Sequence, residues 1–167
     1  MDVWDAIRKK RAVRQFKAEP LKEDHVKRIL DAARRSQSSK NGQPWQFIAV
    51  QNRATLQAIG KDNLHHVAGA ALCVVILVPA ENERTVYNFF DIGQSAAFMQ
   101  LAALELGIGS CLGTIYDADS VRQLLDIPPE WQARMLLSFG YLPGAYAPTF
   151  KPGKRERFDS VVHWDHW

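Results

Sequence analysis

The sequence is short of cysteine: Cys73 and Cys111 are the only two in 167 residues, they form no C-x-x-C pair, and both have apolar neighbours. That excludes a disulfide framework and a thiol-rich metal motif, and leaves two buried free thiols in a reducing compartment as the expectation. Long hydrophobic runs are also missing. The most apolar stretch, VAGAALCVVILVPA at 67–80, is shorter than the roughly 20 residues a membrane-spanning helix needs, and its second half reads as a buried strand. The N-terminus, MDVWDAIRKK, carries no apolar segment of the kind a secretory signal uses, so a cytoplasmic location is expected. There is no H-E-x-x-H, no G-x-S-x-G and no G-x-x-x-x-G-K-[ST], which removes the commonest zinc-peptidase, serine-hydrolase and phosphate-loop readings. Charge of one sign is in small excess only, at +3. A basic nucleic-acid-binding module is therefore a weak alternative.

What is present describes an ordinary globular chain: 47% apolar and 23% charged residues. The length suits one domain spanning 1–167. Asp2 is placed to cap a helix over about 2–10, with Val3, Trp4 and Ile7 as its apolar stripe. VRQF at 13–16 looks extended. After Pro20, the spacing of Val26, Ile29, Leu30 and Ala33 predicts a helix over about 22–35. Strands are expected at about 46–50, 71–78, 110–116 and 134–141, and shorter helices near 54–60 and 118–125. From Val86 to Leu106 the chain is apolar or small on nearly every side. Such a helix must be buried all round, by the core or by a second copy of the chain. Helices and strands intermix without regular alternation, so the expected class is α+β: a layered sheet flanked by helices, with a long buried central helix. The tail from Pro143, with Pro148 and Pro152, is expected to be extended.

Few residues carry recognisable chemistry. GIGSCLG at 107–113 misses the dinucleotide fingerprint, because Leu112 stands where the last glycine belongs and the glycines follow a helix instead of a strand. They read as a helix end and a tight strand entry. His65 and His66 lack ligand spacing and read as inert surface residues. His163 and His166 in the terminal HWDHW have metal-compatible spacing, although a docked aromatic tail fits them better. What remains is charge and polarity in particular places. RKKRAVR at 8–14 and KPGKRER at 151–157 make both ends basic. Arg11, Arg14 and Arg155 are suited to gripping one phosphate from two sides; equally, RKKRAVR reads as a solvated helix end with cations near its C-terminus. The loop SSKNGQPWQF at 38–47 has more hydroxyls and amides than a turn requires. These are the groups that meet a polyol chain or a heteroaromatic edge.

In order and spacing these segments resemble the FMN-dependent nitroreductase family in its short form. Lys10-Arg11-Ala12-Val13-Arg14-Gln15-Phe16 matches its opening R-R-S-x-R-x-F, and Gln37 to Phe47 matches P-S-x-x-N-x-Q-P-W-x-F. Asp91-Ile92-Gly93-Gln94-Ser95-Ala96 and Leu106-Gly107-Ile108-Gly109 match its D-x-G-x-A helix and L-G-L-G end. Arg155 and Val161-Val162-His163-Trp164 match its close. The resemblance implies a homodimer with FMN at the interface and NADH or NADPH as electron donor. Hydride would pass to a nitroaromatic, a quinone or a similar acceptor in ping-pong fashion. By position, Arg11, Arg14 and Arg155 would hold the FMN phosphate, and Lys10 and Ala12 would also be cofactor-binding. Gly113 would lie near the ring, and Ser38, Ser39 and Asn41 would come from the partner chain. No side chain is implied as nucleophile. Ala12 replaces the usual serine and Gln37 the usual proline, so altered FMN affinity is expected. Reductive dehalogenation or flavin remodelling on the same fold is the alternative reaction.

Overall fold

The computed structural model describes residues 1–61, 64–80, 85–143 and 155–167. The elements run α1 (Val3–Lys9), α2 (Glu23–Arg34), a 3-10 turn (Ser39–Asn41), β1 (Gln46–Val50), α3 (Arg53–Ile59), α4 (His65–Ala68), β2 (Leu72–Pro79), α5 (Thr85–Glu105), β3 (Ile108–Thr114), α6 (Ala118–Leu124) and β4 (Trp131–Tyr141), with a closing 3-10 turn at Phe158–Ser160. The expected α+β layering is what forms. One four-stranded antiparallel sheet has the order β1-β2-β4-β3.

The run LCVVILV of β2 is apolar at every position because β2 is central and covered on both faces. On one side, Val74, Ile76, Leu137 and Phe139 pack against Ile29 and Ala33 of α2 and Ile92, Met99 and Ala103 of α5. On the other, Cys73, Val75, Leu77 and Leu136 pack against Leu56 and Ile59 of α3, Val67 of α4 and Val121 of α6. The hydroxyl of Ser95 donates to the Ala33 carbonyl at 3.1 Å and ties α5 to α2 in the dry interior. Both cysteines are buried. Burial alone pushes the Cys73 thiol up to about 12.

Local signals explain the ends. Asp2 accepts the Asp5 N–H at 2.7 Å and caps α1. Asn52 and Asp117 do the same for α3 and α6. Gly107, at φ 72°, closes α5 in the left-handed region where a glycine is least strained. Gly109 does not help to end that helix. It lies inside β3, which starts at Ile108, and its missing Cβ makes room for Val13. The segment after α1 is extended, as expected: Val13 N–H donates to the Ser110 carbonyl, and Ala12 bridges Ser110 in parallel. β4 starts at Trp131, earlier than its polar residues suggested. Gln132 is buried there, with Nε2 donating to the Pro79 carbonyl and Oε1 accepting from Arg134.

α5 is present at full length, but this chain buries only one of its faces. Val86 and Phe90 on the opposite face are 78% and 71% exposed. Trp4 of α1 is 66% exposed and Trp167 is 98% exposed, so the aromatic tail does not dock within the chain. No helix among the described residues is long and apolar enough to cross a membrane. The stretch with Pro148 and Pro152 lies outside the described residues.

Candidate functional site

The basic residues of the two chain ends converge. Arg11 and Arg155 line one cavity of about 570 Å³, together with Arg8, Lys9, the apolar Trp4 and Ile7, and the carboxylate of Asp5, which pairs with Lys9. The Arg11 guanidinium donates to the carbonyls of Arg8 (2.6 Å) and Lys10 (2.8 Å). It therefore sits on the orphan carbonyls at the C-terminus of α1, where positive charge is favoured.

Lys10, Ala12 and Arg14 lie along β3. Lys10 is half-buried. Burial pushes its amine down, Cys111 opposes that shift and Arg14 adds to it. Cys111 is the reverse case, pushed up by burial against the pull of Arg14 and Lys10. Holding the charge on Lys10 beside Arg14 thus costs free energy in the protein alone, and an anion placed between them relieves that cost. Gly113 is buried in β3 opposite Leu136. A Cβ there would stand 2.8 Å from Leu64 Cδ2, 3.0 Å from Leu136 Cδ1 and 3.2 Å from His66 Cε1. The missing Cβ is what lets Leu64, Leu136 and His66 pack against the strand here.

Ser38, Ser39 and Asn41 are grouped elsewhere. Ser39 lines a separate cavity of about 270 Å³ with Gly42, Gln43, Pro79, Asn88, Asp91 and Trp131. The Asp91 carboxylate, 3% exposed, accepts the Ser39 N–H at 3.0 Å and fixes the loop to α5. Ser38 Oγ accepts the Gln43 N–H at 2.9 Å, so it acts as a loop brace. Lys40, Asn41 and Gln43 all have positive φ, at 53°, 54° and 47°. For non-glycine residues each such conformation costs about 1–2 kcal/mol, and strain of this kind gathers at binding sites. It leaves Asn41 exposed at the loop tip.

His66 is not the inert surface residue its sequence context suggested. Its Nδ1 lies 2.8 Å from Ser138 Oγ, its ring is half-buried, and Arg14 acts on it electrostatically. Only the fold could reveal this, because Ser138 is distant in sequence and the pair HH has no periodic apolar company. His163 stacks on Trp167 at 4.2 Å. Among the described residues no three His, Cys, Asp or Glu side chains gather as a metal would require.

Comparison with known proteins gives a consistent set of relatives. The model of the nitroreductase family matches residues 7–71 and 61–141. A Methanothermobacter thermautotrophicus protein, provisionally named NADH dehydrogenase/NAD(P)H nitroreductase, is 28% identical over 176 residues, covering 100% of this chain and 88% of its own. A Staphylococcus aureus NADPH-dependent oxidoreductase is 27% identical over 190 residues, covering 96% of this chain and 72% of its own. Among solved structures, an FMN-dependent nitroreductase from Clostridium difficile R20291 superposes with a TM-score of 0.83 at 24% identity, covering 97% and 98% of the two chains. B. megaterium NfrA2 superposes at 0.90 with 22% identity, covering 100% of this chain and 76% of that one.

Proposed function

The chain belongs to the nitroreductase family, and from that premise we propose that it is an FMN-dependent NAD(P)H oxidoreductase acting on nitroaromatics, quinones or similar acceptors as a homodimer. The observation that carries the reading is the convergence of Arg11 and Arg155, from opposite ends of the chain, on one cavity. The residues present fit the cofactor. Guanidiniums match a phosphate bidentately. When bound, FMN supplies the redox chemistry, accepting hydride from NADH or NADPH and passing it to the second substrate.

The protein's part is binding, orientation and electrostatics. Arg11, Arg14 and Arg155 hold the phosphate end, and Lys10 adds positive charge near Arg14. Ala12 contributes its backbone and no hydroxyl. Ser38, Ser39 and Asn41 reach the cofactor of the partner subunit from the strained loop. The uncovered apolar faces of α1 and α5 support the dimer, since monomers rarely expose large contiguous apolar patches. A second copy packed there would complete the burial that α5's composition demands.

The test is anaerobic reduction of the FMN-loaded protein by NADH and by NADPH, followed by steady-state kinetics with a quinone. Bleaching by at least one nucleotide and parallel double-reciprocal lines are expected. A bound flavin that neither nucleotide bleaches refutes the reading.

A further inference from the structure

Asn88 and Asp91 stand three residues apart on α5 and so share one face of the helix. That face turns inward, and the two are 5% and 3% exposed. Both line the cavity of about 270 Å³ that is walled by Ser39 and Gln43 of the loop, Pro79 of β2 and Trp131 of β4. Their hydrogen-bonding capacity is mostly unfilled. Asp91 Oδ2 accepts the Ser39 N–H at 3.0 Å. Among the described residues Oδ1 has no donor, no ion pair includes this carboxylate, and the Asn88 amide makes no hydrogen bond. The unpartnered side-chain atoms sealed inside the described residues are Ser36 Oγ and Gln100 Nε2, so those of Asn88 and Asp91 open to the cavity. The backbone acceptors beside them are already used: the Pro79 carbonyl accepts from Gln132 Nε2 at 3.0 Å, and the Asn41 carbonyl from Gln43 Nε2 at 3.4 Å.

We propose that this cavity binds a small planar cation of the amidinium or guanidinium class, with Asp91 facing its N–C–N fork, Asn88 Oδ1 accepting a further N–H, and Trp131 covering its flat face. A carboxylate this deeply buried, with one neutral donor, is costly to hold, and a cation that brings its own donors offsets that cost. A planar fork matches a carboxylate bidentately, which a compact ammonium does not, and flat cations of this kind stack on aromatic rings. An anion would face Asp91 directly, and an apolar molecule would leave both polar side chains unsatisfied. A metal ion is not suited either, because among the described residues no three His, Cys, Asp or Glu side chains gather. The volume suits a single-ring molecule, falling just below the roughly 300–1,000 Å³ of drug-sized sites. The site stands apart from the flavin reading, since Arg11 and Arg155 line a different cavity.

The test is titration of the isotope-labelled full chain with benzamidine at neutral pH, followed through its amide and indole NMR signals. Saturable shifts centred on Ser39, Gln43, Asn88 and the Trp131 indole are expected. Benzamide, the neutral isostere, should bind about tenfold more weakly or less. Asp91→Asn keeps an oxygen for the Ser39 N–H but removes the charge, and it should weaken benzamidine by about 10–100-fold, the worth of one charge-assisted hydrogen bond. Asn88→Ala leaves the anchor between Asp91 and Ser39 in place and should weaken it by about tenfold or less. Shifts centred elsewhere, binding that does not saturate, or equal affinity for benzamide and benzamidine overturn the inference. So does an unchanged affinity in Asn88→Ala, the variant that decides if Asp91→Asn loosens the loop.

Discussion

Replacing Gly60 by alanine isolates the contact that sets α4, and with it His66, against α3. Gly60 caps α3 with φ −81° and ψ 3°, and Gly69 caps α4 with φ −93° and ψ −4°. Alanine adopts either geometry without strain, so the backbone does not distinguish the two sites. Their surroundings do. A Cβ at Gly60 would stand 2.5 Å from Ala68 N, 2.7 Å from Ala68 Cβ and 2.9 Å from Ala68 Cα, whereas one at Gly69 meets nothing within 4 Å. Non-bonded carbons settle at about 3.5–4.0 Å, so α4 must retreat from α3 by roughly 1 Å. That retreat is opposed by Arg53, whose guanidinium donates to the carbonyls of Ala68 and Ala70, and by Val67, which is fully buried. Overpacking of this kind costs about 1–3 kcal/mol. In a chain of this length each kcal/mol lowers Tm by about 2–4 °C, so a cost near 2 kcal/mol is a fall of about 4–8 °C. Gly69→Ala should leave Tm unchanged or raise it slightly, by up to about 1 kcal/mol of unfolded-state entropy. Far-ultraviolet circular dichroism melts of both variants check this. A Gly60→Ala protein that melts no lower than Gly69→Ala refutes the reasoning.

Arg14→Ala should weaken FMN retention by about 10–100-fold, the worth of one charge-assisted hydrogen bond, whereas Lys9→Ala, whose amine lines the cavity but is held in an exposed pair with Asp5, should weaken it less. Equilibrium dialysis of the two variants separates them. Because His66 is held below its unfolded value of 6.5, the unfolded chain binds more protons in the window between the two values. Stability should therefore rise with pH up to about 6.5 and fall on acidification, and His66→Gln should flatten that part of the profile in denaturant titrations. Leu136→Ala, at a fully buried position, should cost about 2–5 kcal/mol in the same titrations. Phe90→Asp, on the uncovered face of α5, should lower the sedimentation mass from twice the 18.9 kDa chain to a single chain.

The parts of the fold that were legible in the sequence are those whose pattern and packing coincide. Val26, Ile29 and Ala33 carry the helical spacing and are the residues α2 buries. The apolar run of β2 marks a strand covered on both faces, and Asp2 marks the cap of α1. The start of β4 was not legible because Gln132 is a buried polar residue satisfied by Pro79 and Arg134, partners that only the tertiary structure supplies. Gly109 looked like a helix terminator because its actual role, room for Val13, depends on a segment from the other end of the chain. The site divides in the same way. Arg11, Arg14 and Arg155 stood out by charge clustering, and of these the fold brings Arg11 and Arg155 to one cavity. His66 was missed because its partners, Ser138, Gly113 and Arg14, are assembled by sheet register and helix docking, not by spacing. The all-round apolarity of α5 was legible, but a single chain buries only one of its faces.

The central claim is that the two basic chain ends make one anion site for FMN. The most direct measurement is the FMN-to-chain ratio retained by the purified protein after incubation with excess FMN and gel filtration, read from its visible absorption. The account predicts a yellow protein holding about one FMN per chain. A colourless protein that retains none contradicts it.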